Sequence, residues 1–222
     1  MSGKKITGSD KTEKDPGIPG VLVLNASLKH TGKLSNTGEL ASLVLKFMKQ
    51  ENKKTQSEII RLADIHIPPG VGFRESKGDK WPEIAQKIVS SDIIIFATPI
   101  WWGGRSSLMQ RIIERMDTFD EQNIAEGRSA LLNKVAGIVI TGSEDGAQST
   151  LGSILSVLTF MNFTIPPECS TYWVGEVGPP HDRDRELRLK NKSTEKMAKK
   201  MAHNLLYYSS LLKRFPMEPL ET

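Results

Sequence analysis

Residues 92–98 read Asp-Ile-Ile-Ile-Phe-Ala-Thr, an apolar run with no polar alternation. A strand of this kind needs cover on both faces, which a parallel sheet flanked by helices supplies. Val21–Asn25 and Val135–Thr141 read the same way. Ser57–Ile60 reads as a shorter strand with a ragged end. Phe163 to about Val174 reads as a last strand that Pro166-Pro167 kinks or frays. Helical stripes separate these runs. They are Leu40, Leu43, Val44, Phe47 and Met48; Ile84 and Ile88 behind Trp81-Pro82-Glu83; Leu108, Ile112, Ile113 and Met116; and Leu151, Ile154, Leu155 and Leu158. Proline in its first turn suits the second helix. A long final helix is expected over 182–213, with Met197, Met201 and Leu205 as its apolar stripe and Leu187 near its start. The charged residues 182–192 read as its solvated beginning or a loop.

Strand and helix alternate five times, which predicts an open, doubly wound parallel sheet of five strands in one domain. In such sheets ligands sit outside the carboxyl ends of the strands, at the switch in strand order. Three loops therefore matter: 25–37, 98–104 and 141–146.

Composition narrows the chemistry. The chain has 222 residues and a formal charge of +4, from 30 basic and 26 acidic residues. That mild excess argues against an acidic electron carrier and carries no signal for nucleic acid. One cysteine and four histidines leave nothing for a disulfide framework and predict no metal site. Cys169 reads as a buried, inert thiol, and a reducing, cytoplasmic location follows. No run reaches the length of a membrane span. Residues 1–20 are polar, with Gly and Pro and no apolar h-region, so they read as a flexible arm rather than a signal peptide.

In the first loop, Ser27, Ser35 and Thr37 offer hydroxyls, Asn36 an amide, and the following helix its first N–H groups. Together they can surround a phosphate with little formal positive charge. Lys29 and Lys33 can add charge or face solvent, and Ser35 or Thr37 can equally cap the helix. The second loop, Thr98-Pro99-Ile100-Trp101-Trp102-Gly103-Gly104, leaves the most buried strand and displays two tryptophans. A flat ring with polar edges suits it, which favours a flavin; one tryptophan can instead serve the core and the other an interface. In the third loop, Gly142 and Gly146 permit a tight turn whose amides can meet a pyrimidine edge. Glu144 and Asp145 can alternatively cap the next helix. No histidine pairs with another at metal-ligand spacing, and His30 reads as a solvent-facing loop residue.

In order, Asn25-Ala26-Ser27 with Ser35-Asn36-Thr37, Ser91 through Gly103, and Lys134 through Gly142 resemble the flavodoxin-like NAD(P)H-dependent FMN reductases and quinone reductases. The likeness covers about residues 20–175, and its middle motif is the most specific. It implies an α/β three-layer sandwich with a five-stranded parallel sheet in the order 2-1-3-4-5, over residues 21–213, with a tail at 214–222. It implies one tightly held, non-covalent FMN. Ser27, Ser35, Asn36 and Thr37, with Lys29 beside them, match the phosphate positions. Pro99, Ile100, Trp101, Trp102 and Gly103 match the turn against the isoalloxazine. Thr141, Gly142, Ser143 and Gly146 match the loop at the ring's other edge. NAD(P)H is then the co-substrate, delivering hydride to flavin N5, and no side chain serves as acid–base catalyst. The acceptor is a small quinone, free flavin, nitro or azo compound. A homodimer is implied, or a tetramer, with residues 101–124 helping to build a shared pocket. Two departures stand out. The segment between Ser27 and Asn36 exceeds the shortest family loops, leaving the roles of 28–34 open. The cysteine cluster of iron–sulfur relatives is missing. An FMN-holding electron carrier without NAD(P)H turnover is the alternative. A serine hydrolase built on Ser27 or Ser143 finds no Gly-x-Ser-x-Gly context.

Overall fold

Ile93, Ile94, Ile95, Phe96 and Ala97 are wholly inaccessible in the computed structural model, which describes residues 17–178 and 181–219. Strand pleating sends them alternately to two cores. Ile94 and Phe96 join the side holding Trp81, Ile84, Ile112 and Ile154, whereas Ile93, Ile95 and Ala97 join Leu40, Val44, Met201 and Leu205.

The elements are β1 (Gly20–Asn25), α1 (Asn36–Glu51), β2 (Gln56–Arg61), α2 (Trp81–Ser90), β3 (Ile93–Trp101), β4 (Gly104–Arg105), α3 (Ser107–Arg115), α4 (Asp117–Glu126), β5 (Val135–Ser143), α5 (Ala147–Phe160), β6 (Ser170–Gly175), α6 (His181–Lys190) and α7 (Lys192–Arg214). The parallel sheet runs β2-β1-β3-β5-β6, with β4 paired antiparallel to β3 alone. Without that short hairpin arm, this is the five-stranded 2-1-3-4-5 order of a flavodoxin-like three-layer fold. The order reverses between β1 and β3, and the carboxyl ends of those strands border the crevice where open α/β sheets of this kind hold ligands.

Several boundaries differ from the sequence expectation. β3 continues through Pro99 to Trp101 and folds back through a two-residue turn. Trp102 and Gly103 have φ of 50° and 75°, the positive pair that a type I′ hairpin turn uses. The last strand is Ser170–Gly175; upstream, Thr164 makes only an isolated bridge to Val135, and Pro166-Pro167 lie in the connection, where a missing N–H costs no ladder bond. The expected helix over 182–213 is two helices. Asn191 has extended backbone and accepts the Thr194 N–H at 2.8 Å, so it restarts the chain as the N-cap of α7. α4, which the stripe through Met116 did not announce, follows α3 directly. Most of the expected N-terminal arm (residues 1–16) and the last tail residues (220–222) lie outside the described residues.

The long connection before α2 is held from inside. Arg115 and Asp79 are both buried and paired at 2.7 Å; Asp79 also accepts the Trp81 N–H at 2.9 Å, and the guanidinium lies 5.8 Å from the Trp81 ring centroid. Cys169 is buried, and burial pushes its thiol pKa up, as expected of an inert cysteine.

Candidate functional site

The loop after β1 is shaped by its own side chains. Asn25 is buried and its Oδ1 accepts the Ser27 N–H at 3.1 Å, an Asx turn that bends the chain away from the sheet. Ser106, the buried N-cap of α3, donates to the Ala26 carbonyl at 2.8 Å and receives its own N–H partner in Thr98 Oγ1 at 3.1 Å. Ser27 is thereby fixed between the ends of β1 and β3.

The longer segment beyond it is closed like a hasp. One Arg61 nitrogen donates to the carbonyls of Lys29, His30 and Lys33 at 3.1, 2.8 and 3.1 Å. Asp64 accepts from the Thr31 N–H and hydroxyl and pairs with His30, and the Thr31 bonds hold its carboxyl below the usual range. His30 thus belongs to the loop's outer lock.

α1 starts at the mouth of this turn. Ser35 is its N-cap: Oγ accepts the Gly38 N–H at 3.1 Å, and the Ser35 carbonyl accepts the Glu39 N–H at 2.9 Å. The first-turn N–H groups of Asn36 and Thr37 have no intrahelical acceptor to use. Thr37 and Thr141 touch hydroxyl to hydroxyl at 2.7 Å, both buried, so one donates to the other and one proton remains for a ligand. This contact joins the first loop to the third.

The third loop approaches the second through missing side chains. A Cβ on Gly142 would lie 2.8 Å from the Cβ of Ile100. A Cβ on Gly146 would lie 2.9 Å from Gly103 Cα, and Gly146 already has φ of 87°. Gly146 is the α5 N-cap without a side-chain cap bond, so Glu144 and Asp145 do not cap that helix. The hairpin is tied back to α5 by Arg105, which donates to the Ser153 carbonyl at 3.1 Å. At its tip Trp101 is half exposed and Trp102 is 100% exposed.

These loops enclose a cleft of about 520 Å³. Ser27, Lys29, Asn36, Thr37, Pro99, Ile100, Trp101, Trp102, Gly103, Thr141, Gly142 and Ser143 line it. Two of the residues singled out from sequence do not: Ser35 is spent on the cap beneath the cleft, and Gly146 on the packing behind Gly103. Sequence reasoning missed Trp173, Glu176 and Asp184. Trp173 was within reach, since it sits at the carboxyl end of the last strand, where the topology places ligands. Asp184 gave no signal, because its approach depends on how α6 docks.

That docking is specific. Asp184 accepts the Asn36 amide at 2.7 Å and the Trp173 indole N–H at 2.9 Å. Glu39 pairs with Arg185 at 2.8 Å and with the buried Arg188. Burial pushes the Glu39 carboxyl up, but the Arg185 hydrogen bond and the Arg188 charge outweigh it and hold it below its ordinary value. The charged segment is therefore a clamp on α1 as much as a solvated surface. Among the described residues Lys29 is the one basic side chain that lines the cleft, and the acids Glu144, Asp145, Glu176 and Asp184 line it too. Also among the described residues, no group of His, Cys, Asp and Glu is arranged to hold a metal ion, and no helix is long and apolar enough to cross a membrane.

Three similarities bear on this geometry. A Streptomyces davaonensis protein, 8-demethyl-8-aminoriboflavin-5'-phosphate synthase, is 28% identical over 204 residues, covering 88% of this chain and 79% of that one. The crystal structure of RosB with a bound intermediate, 8-demethyl-8-formylriboflavin-5'-phosphate, superposes with a TM-score of 0.75 at 27% identity, covering 90% of this chain and 82% of that one. A Mycobacterium bovis protein described as the divalent metal cation transporter MntH is 32% identical over 162 residues; the match takes in 71% of this chain but spans only 23% of that protein's length. The model of one family, described as NADPH-dependent FMN reductase, matches residues 19–176, from the first residue before β1 to the end of β6 and through all three cleft loops. The chain belongs to the NADPH-dependent FMN reductase family.

Proposed function

We propose that the cleft holds FMN non-covalently and that the protein passes electrons from NAD(P)H to a small acceptor such as a quinone, free flavin, nitro or azo compound. The observation that carries this reading is the division of the cleft. One end offers hydroxyls, an amide and free helix N–H groups with a single lysine. The other offers backbone and aromatic surface drawn together around Gly142 and Gly146.

The donor set fits a phosphate monoester: Ser27, Thr37 and Thr141 are neutral, buried hydroxyls beside the α1 N-terminus, whose dipole favours negative charge. The cleft volume suits a ligand of cofactor size. Bound FMN supplies a ring that accepts hydride from a nicotinamide and passes electrons onward. The chain's residues supply position. Ser27, Asn36 and Thr37 hold the phosphate, with Ser35 bracing the turn beneath them. Pro99 through Gly103 lie against the ring, and Thr141, Gly142 and Ser143 border it, with Gly146 setting the distance to Gly103. No side chain moves a proton in this scheme.

A second reading is favoured by the likeness to the aminoriboflavin-phosphate synthase and to RosB with its bound flavin intermediate. In it, a flavin phosphate is the substrate and leaves after each round. The unit in solution is proposed to be a cytoplasmic homodimer of one domain over residues 21–213, with exposed Ile124 in the shared face. Light scattering reads its mass against the 24.7 kDa chain, and four-fold that mass would mean a tetramer.

The test is an acceptor panel with added FMN, NADH and NADPH, followed by chromatography of the flavin. Acceptor-dependent oxidation of either nicotinamide with FMN recovered unchanged supports the oxidoreductase. Chemically altered flavin supports the second reading. Bound flavin with no nicotinamide oxidation, and one-electron exchange with a protein partner, would leave an electron carrier instead.

A further inference from the structure

The family match ends at residue 176, before α6 begins at His181. α6 nevertheless reaches the donor end of the cleft. The Asp184 carboxylate takes the Asn36 amide at 2.7 Å and the Trp173 indole N–H at 2.9 Å. Its seat is built. A Cβ on Gly175 would lie 2.2 Å from Asp184 Oδ1, so the carboxylate fits there because residue 175 has no side chain. Behind it, Glu39 on α1 grips Arg185 and the buried Arg188 one turn further along α6.

We propose that Asp184 is a specificity-determining residue that competes with the flavin phosphate for Asn36 and keeps FMN exchangeable. This rests on the flavin reading above and deepens it, since it concerns the phosphate end of the same cleft. Asn36 lies beside Thr37 and Ser27, the donors assigned to the phosphate. A phosphate drawn to them meets a carboxylate already within hydrogen-bonding distance of the Asn36 nitrogen. Both groups are anionic, and in a partly screened cleft two such charges repel appreciably. Riboflavin, which has the same ring and no phosphate, does not meet that repulsion. Asp184 therefore lowers the preference for FMN over riboflavin without touching the ring end. A flavin held in this way leaves more readily than a resident prosthetic group.

The experiment is equilibrium titration of the full chain with FMN and with riboflavin, for the native protein, Asp184→Asn and Asp184→Ser. The asparagine variant keeps the shape and an acceptor for Trp173 while removing the charge, and the serine variant removes the carboxylate outright. Thermal melting of each variant identifies any that fails to fold, and the other then carries the test. The expected result is FMN binding tighter by about 5-fold or more in the variants, with riboflavin binding unchanged. FMN affinity that is unchanged or weaker, or FMN and riboflavin shifting together, would overturn the role of Asp184 while leaving the flavin site standing. Neither flavin binding to any of the proteins would remove the flavin reading itself, and this inference with it.

Discussion

The two ends of the cleft are made of different material. The α1 end is built from side chains whose polar atoms interlock: Asn25 shapes the turn, Ser35 caps the helix, and the Thr37 and Thr141 hydroxyls meet at 2.7 Å. The hairpin end is built from backbone and from absent side chains, with Gly142 against Ile100 and Gly146 against Gly103. The difference separates two kinds of specificity. In the proposed reading the first end reads a ligand's charge and hydrogen bonds, and one altered side chain should lower affinity for one chemical group. The second end reads shape, and one added methyl should damage fold and binding together.

The largest expected effect is at the backbone end. Gly146→Ala places a side chain at φ of 87° and within 2.9 Å of Gly103 Cα. The left-handed strain and the backbone clash together should cost about 2–4 kcal/mol, measured by urea unfolding. FMN and riboflavin affinity should fall in parallel. A variant as stable as the native protein, with both affinities kept, would show that the close approach of these loops does not matter.

Ser27→Ala comes next. Loss of one hydrogen bond to an anion should weaken FMN binding by about 1.5–3 kcal/mol with little change for riboflavin. The rate of flavin reduction by nicotinamide at saturation should hardly move. An unchanged FMN affinity would remove Ser27 from the phosphate end.

Acid should then loosen α6. The Glu39 carboxyl is held below its ordinary value of 4.5 in the folded chain by Arg185 and Arg188, against the upward push of burial. The stability it contributes is therefore fully present above that ordinary value and is lost as pH falls through the depressed one. Protection of residues 183–190 from hydrogen exchange, taken relative to the intrinsic amide rates, should fall over that acid window in the native protein. In Glu39→Gln it should be low already at neutral pH. Equal protection in both proteins would mean that the clamp does not hold the helix.

The smallest effect is at Trp102, which is 100% exposed. Trp102→Ala should change stability by no more than about 0.5 kcal/mol. It should weaken FMN and riboflavin binding alike, by less than Gly146→Ala does, and raise the KM for the nicotinamide or acceptor. A large loss of stability would mean that a partner covers this side chain.

How far the sequence revealed all this follows the same division. The parallel sheet was legible because Ile93 through Ala97 are apolar on both faces, a pattern few other folds permit. The place of Ser27, Asn36 and Thr37 along the cleft was legible because they follow a buried strand and open a helix. Ser35 was legible as a polar residue but not as the cap alone, since capping and ligand binding ask for the same hydroxyl. The strand over 163–174 was drawn too long because Phe163 and Ile165 are apolar for core packing, whereas Pro166-Pro167 displaces the ladder to Ser170. The break at Asn191 was missed because charged residues with good helix propensity flank it on both sides. Asp184 lay beyond local reading altogether, for its partners Asn36 and Glu39's arginine clamp come together only when α6 docks on α1.

The most direct test is the absorption spectrum of the purified protein, reconstituted with FMN, before and after NADH or NADPH is added without oxygen. The account predicts a flavin spectrum from protein-bound FMN that bleaches rapidly with at least one nicotinamide and returns when an acceptor is supplied. Protein that takes up no FMN, or bound flavin that stays yellow with both nicotinamides, would contradict it.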